Sequence, residues 1–163
     1  MRWILLTCAV IGCSNDSKSR DTNTPPAAPK VETAAPAPKS GAPAGPRVEG
    51  QGFVVEVQAP AGASPGAATA AQVVLKPTGG FHLNKEFPTA LEVTAPAGVE
   101  IEKTKQGVGD AARFEESGGE FIVKFTAKEA GEKQFTATFR FAVCTETRCD
   151  PKRETLAWNV AVK

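Results

Sequence analysis

Residues 135–162, FTATFRFAVCTETRCDPKRETLAWNVAV, hold the longest regular hydrophobic pattern of the chain. Apolar side chains recur at every second position on both sides of a short polar break, namely at Phe135, Ala137, Phe139, Phe141 and Val143 and then at Leu156, Trp158, Val160 and Val162. A period of two is typical of a β-strand with one buried face. The residues between Cys144 and Cys149 make a loop of ordinary hairpin length. The stretch therefore predicts two antiparallel strands joined at a cysteine pair.

The same alternation continues upstream in shorter runs. These runs are Phe53, Val55 and Val57; Val73 and Leu75; Leu91 and Val93; Val99 and Ile101; and Phe121, Val123 and Phe125. Gly/Pro-containing breaks such as residues 59–62 and 95–98 separate them, and no window carries the apolar stripe of a helix. Short strands with turn signals about every 8–12 residues predict an all-β sandwich or barrel. We expect an immunoglobulin-like β-sandwich over residues 47–163, present as a monomer.

The first thirteen residues, MRWILLTCAVIGC, have the features of a secretory signal. Arg2 precedes an apolar run that is too short to span a bilayer, because a transmembrane helix needs about 20 residues. Residues 10–13 resemble the lipobox of bacterial lipoproteins, in which a signal peptidase cuts before a cysteine that carries a diacylglycerol. The resemblance implies a signal peptide over residues 1–12 and lipidation at Cys13. The alternative is an ordinary signal peptide with an incidental cysteine.

A segment rich in proline and alanine follows the signal. Residues 14–46 contain 7 of the 13 prolines and almost no large apolar side chain, so burial cannot offset the entropy of ordering them. Residues 13–46 are therefore predicted to be the lipidated cysteine and a disordered linker, either a tether or a passive stalk. Ser14 resembles the pattern that sorts lipoproteins to the outer membrane. We expect a lipid-anchored protein of a Gram-negative-type cell envelope, on the outer membrane facing the periplasm.

Charge and titratable side chains argue against several classes of function. The chain has 19 Lys+Arg and 18 Asp+Glu, a net charge of +1, which offers a nucleic-acid backbone little attraction. One histidine and no tyrosine leave few groups for acid–base catalysis. The only evident soft ligands are His82, Cys144 and Cys149, fewer than the four of a structural zinc site. We expect no nucleic-acid partner, no metal and no cofactor.

The four cysteines differ in kind. Cys8 lies within the predicted signal peptide and Cys13 is the predicted lipidation site, which leaves Cys144 and Cys149 as the free pair. In an oxidising compartment such a pair can form a disulfide. A loop this short would stabilise the fold by only ~2 kcal/mol. The spacing is therefore compatible with reversible redox chemistry and with a structural staple.

Three stretches resemble the amino-terminal periplasmic domain of DsbD, the membrane thiol:disulfide interchange reductase. They are residues 79–88 (GGFHLNKEFP), 112–115 (ARFE) and 141–151 (FAVCTETRCDP), the last ending in Cys-x-Pro. The likeness extends over about residues 48–163. The fold of that family is an immunoglobulin-like sandwich, which agrees with the alternation described above. The hairpin departs from the usual family pattern in having four residues rather than five between its cysteines.

The resemblance implies an electron relay by disulfide exchange between a thioredoxin-like domain and other envelope thiol proteins. It assigns the nucleophile to Cys149 and the resolving thiol to Cys144. Phe114 becomes the candidate for the aromatic residue that caps the pair, with a plain core position as the alternative. Our leading hypothesis is an envelope lipoprotein that carries a thiol:disulfide interchange domain. The alternative is a non-catalytic envelope binding or scaffold domain in which the disulfide only closes the hairpin.

Overall fold

A computed structural model describes residues 45–163 of the chain, and almost all of them lie in β-strands or tight connections. The strands are β1 (Arg47–Gly50), β2 (Phe53–Gln58), β3 (Ala68–Pro77), β4 (His82–Leu83), β5 (Ala90–Thr94), β6 (Val99–Ile101), β7 (Lys105–Gly107), β8 (Arg113–Glu115), β9 (Gly118–Ala127), β10 (Gly131–Cys144) and β11 (Cys149–Val162). One 3₁₀ turn, Val108–Asp110, connects β7 to β8. Within this described part no helix is long and apolar enough to cross a membrane.

The strands form two antiparallel sheets. The first sheet has the order β1-β2-β3-β9-β6, and β8 also pairs with β9. The second has the order β11-β10-β5-β7, and β4 pairs with the end of β10 beyond β5. The hairpin of β10 and β11 is the longest pairing, running from Gly131↔Val162 to Cys144↔Cys149. This two-layer arrangement confirms the predicted all-β, immunoglobulin-like sandwich.

The core lies between the two sheets and follows the predicted alternation. Every residue of the predicted stripe on β10 is buried, and Phe135, Phe139 and Phe141 are completely so. Aromatic rings meet across the layers: the centroids of Phe121 and Phe139 are 5.3 Å apart and those of Phe53 and Phe141 are 5.0 Å apart. The stripe therefore packs the β10–β11 hairpin against the opposite sheet.

Four short strands were not predicted from the sequence: β1, β4, β7 and β8. Each has two to four residues, too few for a hydrophobic period to be visible. The predictions for residues 1–44, including the signal peptide, Cys13 and most of the linker, lie outside the described residues. The last two linker residues are described, and the carbonyl oxygens of Gly45 and Pro46 accept hydrogen bonds from the amides of Ala157 and Val57.

One carboxyl group has an unfavourable position in the sandwich. Glu154 lies on β11 opposite Phe139 and is only partly exposed. Burial raises the pKa of its carboxyl group, and the nearby charge of Lys152 opposes that effect. Because the folded-state pKa is above that of the unfolded chain, protonation stabilises the fold at acid pH, and this stability is lost as pH rises through the folded-state pKa.

Replacing Glu154 by glutamine should therefore stabilise the protein at neutral pH. The gain in the free energy of unfolding should be about 0.5 kcal/mol at pH 7, because the group is partly exposed and solvent screens its charge. Urea unfolding at pH 7 and at about pH 4 measures the difference, which should shrink at the lower pH as the carboxyl becomes protonated. The matched control is Glu132→Gln at an exposed position on β10. An equal gain in both variants would contradict the prediction.

Candidate functional site

The cysteine pair closes the long hairpin as a disulfide. Cys144 is the last residue of β10 and Cys149 the first of β11, and their Sγ atoms are bonded across the strand pair. The Cα atoms are 4.0 Å apart. The amide of Thr145 donates to the carbonyl of Arg148 at 2.8 Å and closes the loop just beyond the disulfide. In the alternating ladder, Cys144 and Cys149 are therefore a non-hydrogen-bonded pair, in which side chains come closest.

The two halves of the disulfide have very different exposure. Cys144 is only 3% exposed, whereas Cys149 is exposed. The sheet order explains the difference: β10 runs between β11 and β4, so that Cys144 has Cys149 on one side and His82 on the other. Cys149 lies on β11, an edge strand of the sheet. A molecule approaching from solvent therefore meets Cys149 first.

The disulfide lies on the outer face of its sheet. Successive side chains of a strand point to opposite faces, and Phe141 and Val143 of β10 belong to the core between the sheets. Cys144 therefore points away from that core, although it is buried. The disulfide is thus separated from the sandwich interior and belongs to the molecular surface.

A turn that follows β4 contacts the exposed half of the disulfide. The Asn84 side-chain amide donates to Cys149 Sγ, with an Nδ2···Sγ distance of 3.6 Å. The Asn84 Oδ1 accepts the backbone amides of Glu86 at 2.8 Å and Phe87 at 3.1 Å. The Asn84 backbone amide donates to the carbonyl of Ala142 on β10. Residues 84–87 are therefore fixed beside the cysteine pair by both the backbone and the side chain of Asn84.

The charges at the hairpin are mixed in sign. Arg148 forms an ion pair with Asp150, with an Nη2···Oδ2 distance of 3.2 Å. The Lys152 ammonium lies 5.9 Å from the ring centroid of Phe53, on the inner side of the strand. Arg148 and Lys152 therefore have partners of their own. Positive charge close to a thiol favours its thiolate, but these side chains supply little of that effect.

Pro151 lies within β11 rather than before it. It is paired with Ala142, two positions beyond the disulfide in the ladder. The alternation of the ladder makes this a non-hydrogen-bonded position, so the proline nitrogen faces the open edge of the sheet. Proline has no backbone N–H, but at this position the hairpin loses no hydrogen bond. The outer edge of β11 near Cys149 therefore has one donor fewer for pairing with another strand.

Phe114 packs in the sandwich. It lies on β8 opposite Gly119, and a Cβ built on Gly119 would come within 2.8 Å of its ring. Its ring centroid is 6.1 Å from that of Phe121, and it packs against the hydrophobic core. The side chain that donates to Cys149 Sγ is that of Asn84. The role of Phe114 as a cap stays a prediction.

His82 is brought next to the cysteines in register. It lies on β4 directly opposite Cys144 and is partly exposed. In the part of the chain that the structure describes, no three His, Cys, Asp or Glu side chains form a group that could hold a metal ion. A depression of about 820 Å³, lined by residues 68–70, 100–102 and 124–126, lies on the other sheet and includes neither cysteine.

Asn84 is the site residue that sequence analysis missed. It is 65 positions from Cys149 in the chain, so no local pattern connects the two. A weak signal was present, since asparagine favours turns in which its side chain accepts backbone amides two residues on. Only the pairing of β4 with β10 shows that such a turn lies beside the disulfide.

No protein-family model matches this sequence, and no curated protein matches it. Solved structures with similar folds include WR4, an MSP family member of C. elegans, at 9% identity and a TM-score of 0.34, covering 66% of this chain and 97% of that one. Another is AggA, the major subunit of aggregative adherence fimbriae type I from Escherichia coli, at 9% identity and a TM-score of 0.34, covering 68% and 95%.

A third similar structure is a PapD-like domain of human CEP192, at 13% identity and a TM-score of 0.27, covering 78% of this chain and 99% of that one. At these identities and TM-scores the likenesses carry no argument about function. The functional proposal therefore depends on the disulfide and its surroundings.

Proposed function

We propose that this chain is an envelope lipoprotein whose β-sandwich carries out thiol:disulfide exchange through Cys149 and Cys144. The observation that supports it best is the asymmetry of the disulfide, with Cys149 exposed on an edge strand and Cys144 3% exposed. Exchange proceeds by attack of a thiolate on one sulfur and release of the other. An accessible sulfur joined to a sheltered one directs that attack to a single atom.

The reduced domain would act on an oxidised protein in two steps. The Cys149 thiolate attacks one sulfur of the target disulfide, and the other target sulfur leaves as a thiolate that takes a proton from water. Cys144 then loses its proton to water and attacks Cys149 Sγ, which re-forms the internal disulfide and releases the second target thiolate. Two electrons pass from the domain to the target. A partner dithiol, such as that of a thioredoxin-like protein, would reduce the domain again by the reverse steps.

The location of the protein is part of the proposal. The lipobox-like residues 10–13 and the Pro/Ala-rich segment after them support a lipid anchor and a linker. Multiple acyl chains anchor a protein stably without a transmembrane helix. The anchor would hold the domain on the outer membrane facing the periplasm, where disulfides persist.

A second candidate is a non-catalytic binding or scaffold domain with a structural disulfide. The continuous ladder of β10 and β11 supports it, because the disulfide joins the last residue pair of an unbroken hairpin. This function needs nothing beyond the fold and the disulfide that the structure contains. It requires the disulfide to remain closed under conditions that would reduce an exchange site.

The reduction potential of Cys144–Cys149 separates the two candidates. We expect a value less negative than about −300 mV, because structural disulfides lie below that value and exchange-active ones above it. Equilibration of the full chain with glutathione and dithiothreitol buffers, followed by mass spectrometry of the peptides containing Cys144 and Cys149, measures it without interference from Cys8 and Cys13. A potential far below −300 mV would reject exchange and favour the binding domain.

A further inference from the structure

We propose that the side-chain amide of Asn84 stabilises the thiolate of Cys149 in the reduced domain. The inference deepens the proposed exchange function and rests on it. It begins from the 3.6 Å contact between Asn84 Nδ2 and Cys149 Sγ, a normal length for a hydrogen bond to sulfur. When the disulfide is opened, the same donor meets a sulfur that carries a full negative charge, and hydrogen bonds to charged groups are the stronger ones.

The orientation of the Asn84 amide is set by its other contacts. Its Oδ1 accepts two backbone amides, those of Glu86 and Phe87. Turning the amide over would place its NH₂ group against those two donors and leave both without an acceptor. The hydrogen-bond network therefore directs Nδ2, and not Oδ1, toward Cys149.

The donor is also held in place before the thiolate forms. The Asn84 backbone amide donates to the carbonyl of Ala142, and Leu83 before it is buried opposite Val143. The turn is thus anchored to β10, the strand that ends in Cys144. A donor that is already positioned loses little entropy when the charge appears, which is the condition for effective electrostatic stabilisation.

The ionisable groups near Cys149 do not form a cluster of one charge. Arg148 is paired with Asp150, and the remaining groups have both signs. They are His82 on β4, Lys85 and Glu86 on the turn, Glu146 on the hairpin loop, and Lys152 and Arg153 on β11. The neutral side-chain amide of Asn84 donates to the Cys149 sulfur.

The test measures the acidity of Cys149 directly. In the full chain carrying Cys144→Ser, the rate of iodoacetamide labelling at Cys149 is followed from pH 5 to pH 11 by mass spectrometry of its peptide. Adding Asn84→Asp should lower the acid-dissociation constant of Cys149 about tenfold, because a carboxylate replaces the donor. Aspartate still accepts the amides of Glu86 and Phe87, so the turn is kept.

Two further variants keep the result decisive. Asn84→Ser retains a neutral acceptor for the turn but lacks Nδ2, and it should lower the acid-dissociation constant about threefold. Asn159→Asp makes the same change at an exposed position of β11 far along the strand from Cys149, and it should leave the constant unchanged. If Asn84→Asp does not fold, the serine variant decides alone.

The inference is overturned if both Asn84 variants leave the acidity of Cys149 unchanged, or if Asn159→Asp lowers it as much as Asn84→Asp does. A structural role for Asn84 alone would change the thermal unfolding temperature and not the acidity. The outcome is separable from the proposed function, because labelling by iodoacetamide needs no protein partner. If Asn84 proves to stabilise the thiolate but the reduction potential of the disulfide lies far below about −300 mV, the inference about Asn84 is retained and the exchange function is rejected.

Discussion

Full-length protein carrying Cys144→Ser should accumulate mixed disulfides through Cys149, whereas Cys149→Ser should form very few. The exposed Cys149 remains available to an oxidised partner, and without Cys144 the hairpin has no second thiol to resolve the adduct. In Cys149→Ser the remaining hairpin thiol is Cys144, which is only 3% exposed in the folded domain, and exchange requires access to the attacking thiol. We expect the two variants to differ at least about tenfold in the rate of reaction with oxidised glutathione, because a sheltered thiol reacts slowly. Mass spectrometry of the two cysteine-containing peptides measures the rates.

The double variant Cys144→Ser/Cys149→Ser is the control for this experiment. It retains Cys8 and Cys13, so any adduct that persists in it does not involve the hairpin. In cell envelopes, complexes that appear on non-reducing gels with Cys144→Ser and are absent from the double variant identify exchange partners. Equal reactivity of the two single variants would show that the exposure of Cys149 does not direct attack, and the proposed roles of the two cysteines would then be wrong.

The fold was predictable because its longest strands carry their burial pattern in the sequence. On β10 the residues with odd numbers from Phe135 to Val143 are all buried, as their spacing predicts. The later stripe on β11 behaves in the same way from Leu156 to Val162. In such strands one face packs on the core and the other faces outward, so the period of two is preserved. Hydrophobic patterning therefore predicted an all-β sandwich or barrel, and the structure shows the sandwich.

The site was predictable only in part. The spacing of Cys144 and Cys149 indicated a hairpin and a possible disulfide, and the structure contains that disulfide. The burial of Cys144 depends on a two-residue strand, β4, that no periodicity shows. The contact of Asn84 with Cys149 depends on the same pairing. Contacts between segments distant in the chain are set by the packing of the sheets, and one sequence does not reveal them.

Phe114 is a second residue whose contacts the sequence did not reveal. Its place in a short aromatic stretch and the resemblance to the DsbD domain made it a candidate cap. The structure shows what the sequence could not, that Gly119 on the neighbouring strand leaves room for its ring. An aromatic ring that packs over a glycine of the neighbouring strand covers backbone atoms, because glycine has no side chain. A residue type and its neighbours in sequence therefore do not reveal which surface an aromatic ring covers.

Phe139→Ala should have the largest effect on stability of any change considered, lowering the free energy of unfolding by about 3–5 kcal/mol. Phe139 is completely buried, and its ring packs at 5.3 Å from Phe121 on the opposite sheet and 5.1 Å from Phe141 on its own strand. Truncation removes apolar contacts to both layers and leaves a cavity between sheets whose strands hold the backbone in place. Urea unfolding at pH 7 with the disulfide intact measures the loss.

Thr138→Ala is the matched control, because it lies on the same strand with its side chain on the opposite face and only partly buried. It should change the free energy of unfolding by less than about 1 kcal/mol. A similar loss in both variants would mean that the strand, and not the packing of the ring, determines the stability. With the predicted contrast, the packing of the Phe139 ring contributes more to stability than the ~2 kcal/mol expected from closing so short a disulfide loop. The cysteine pair at the end of the hairpin could then open and close while the sandwich that presents it stays folded.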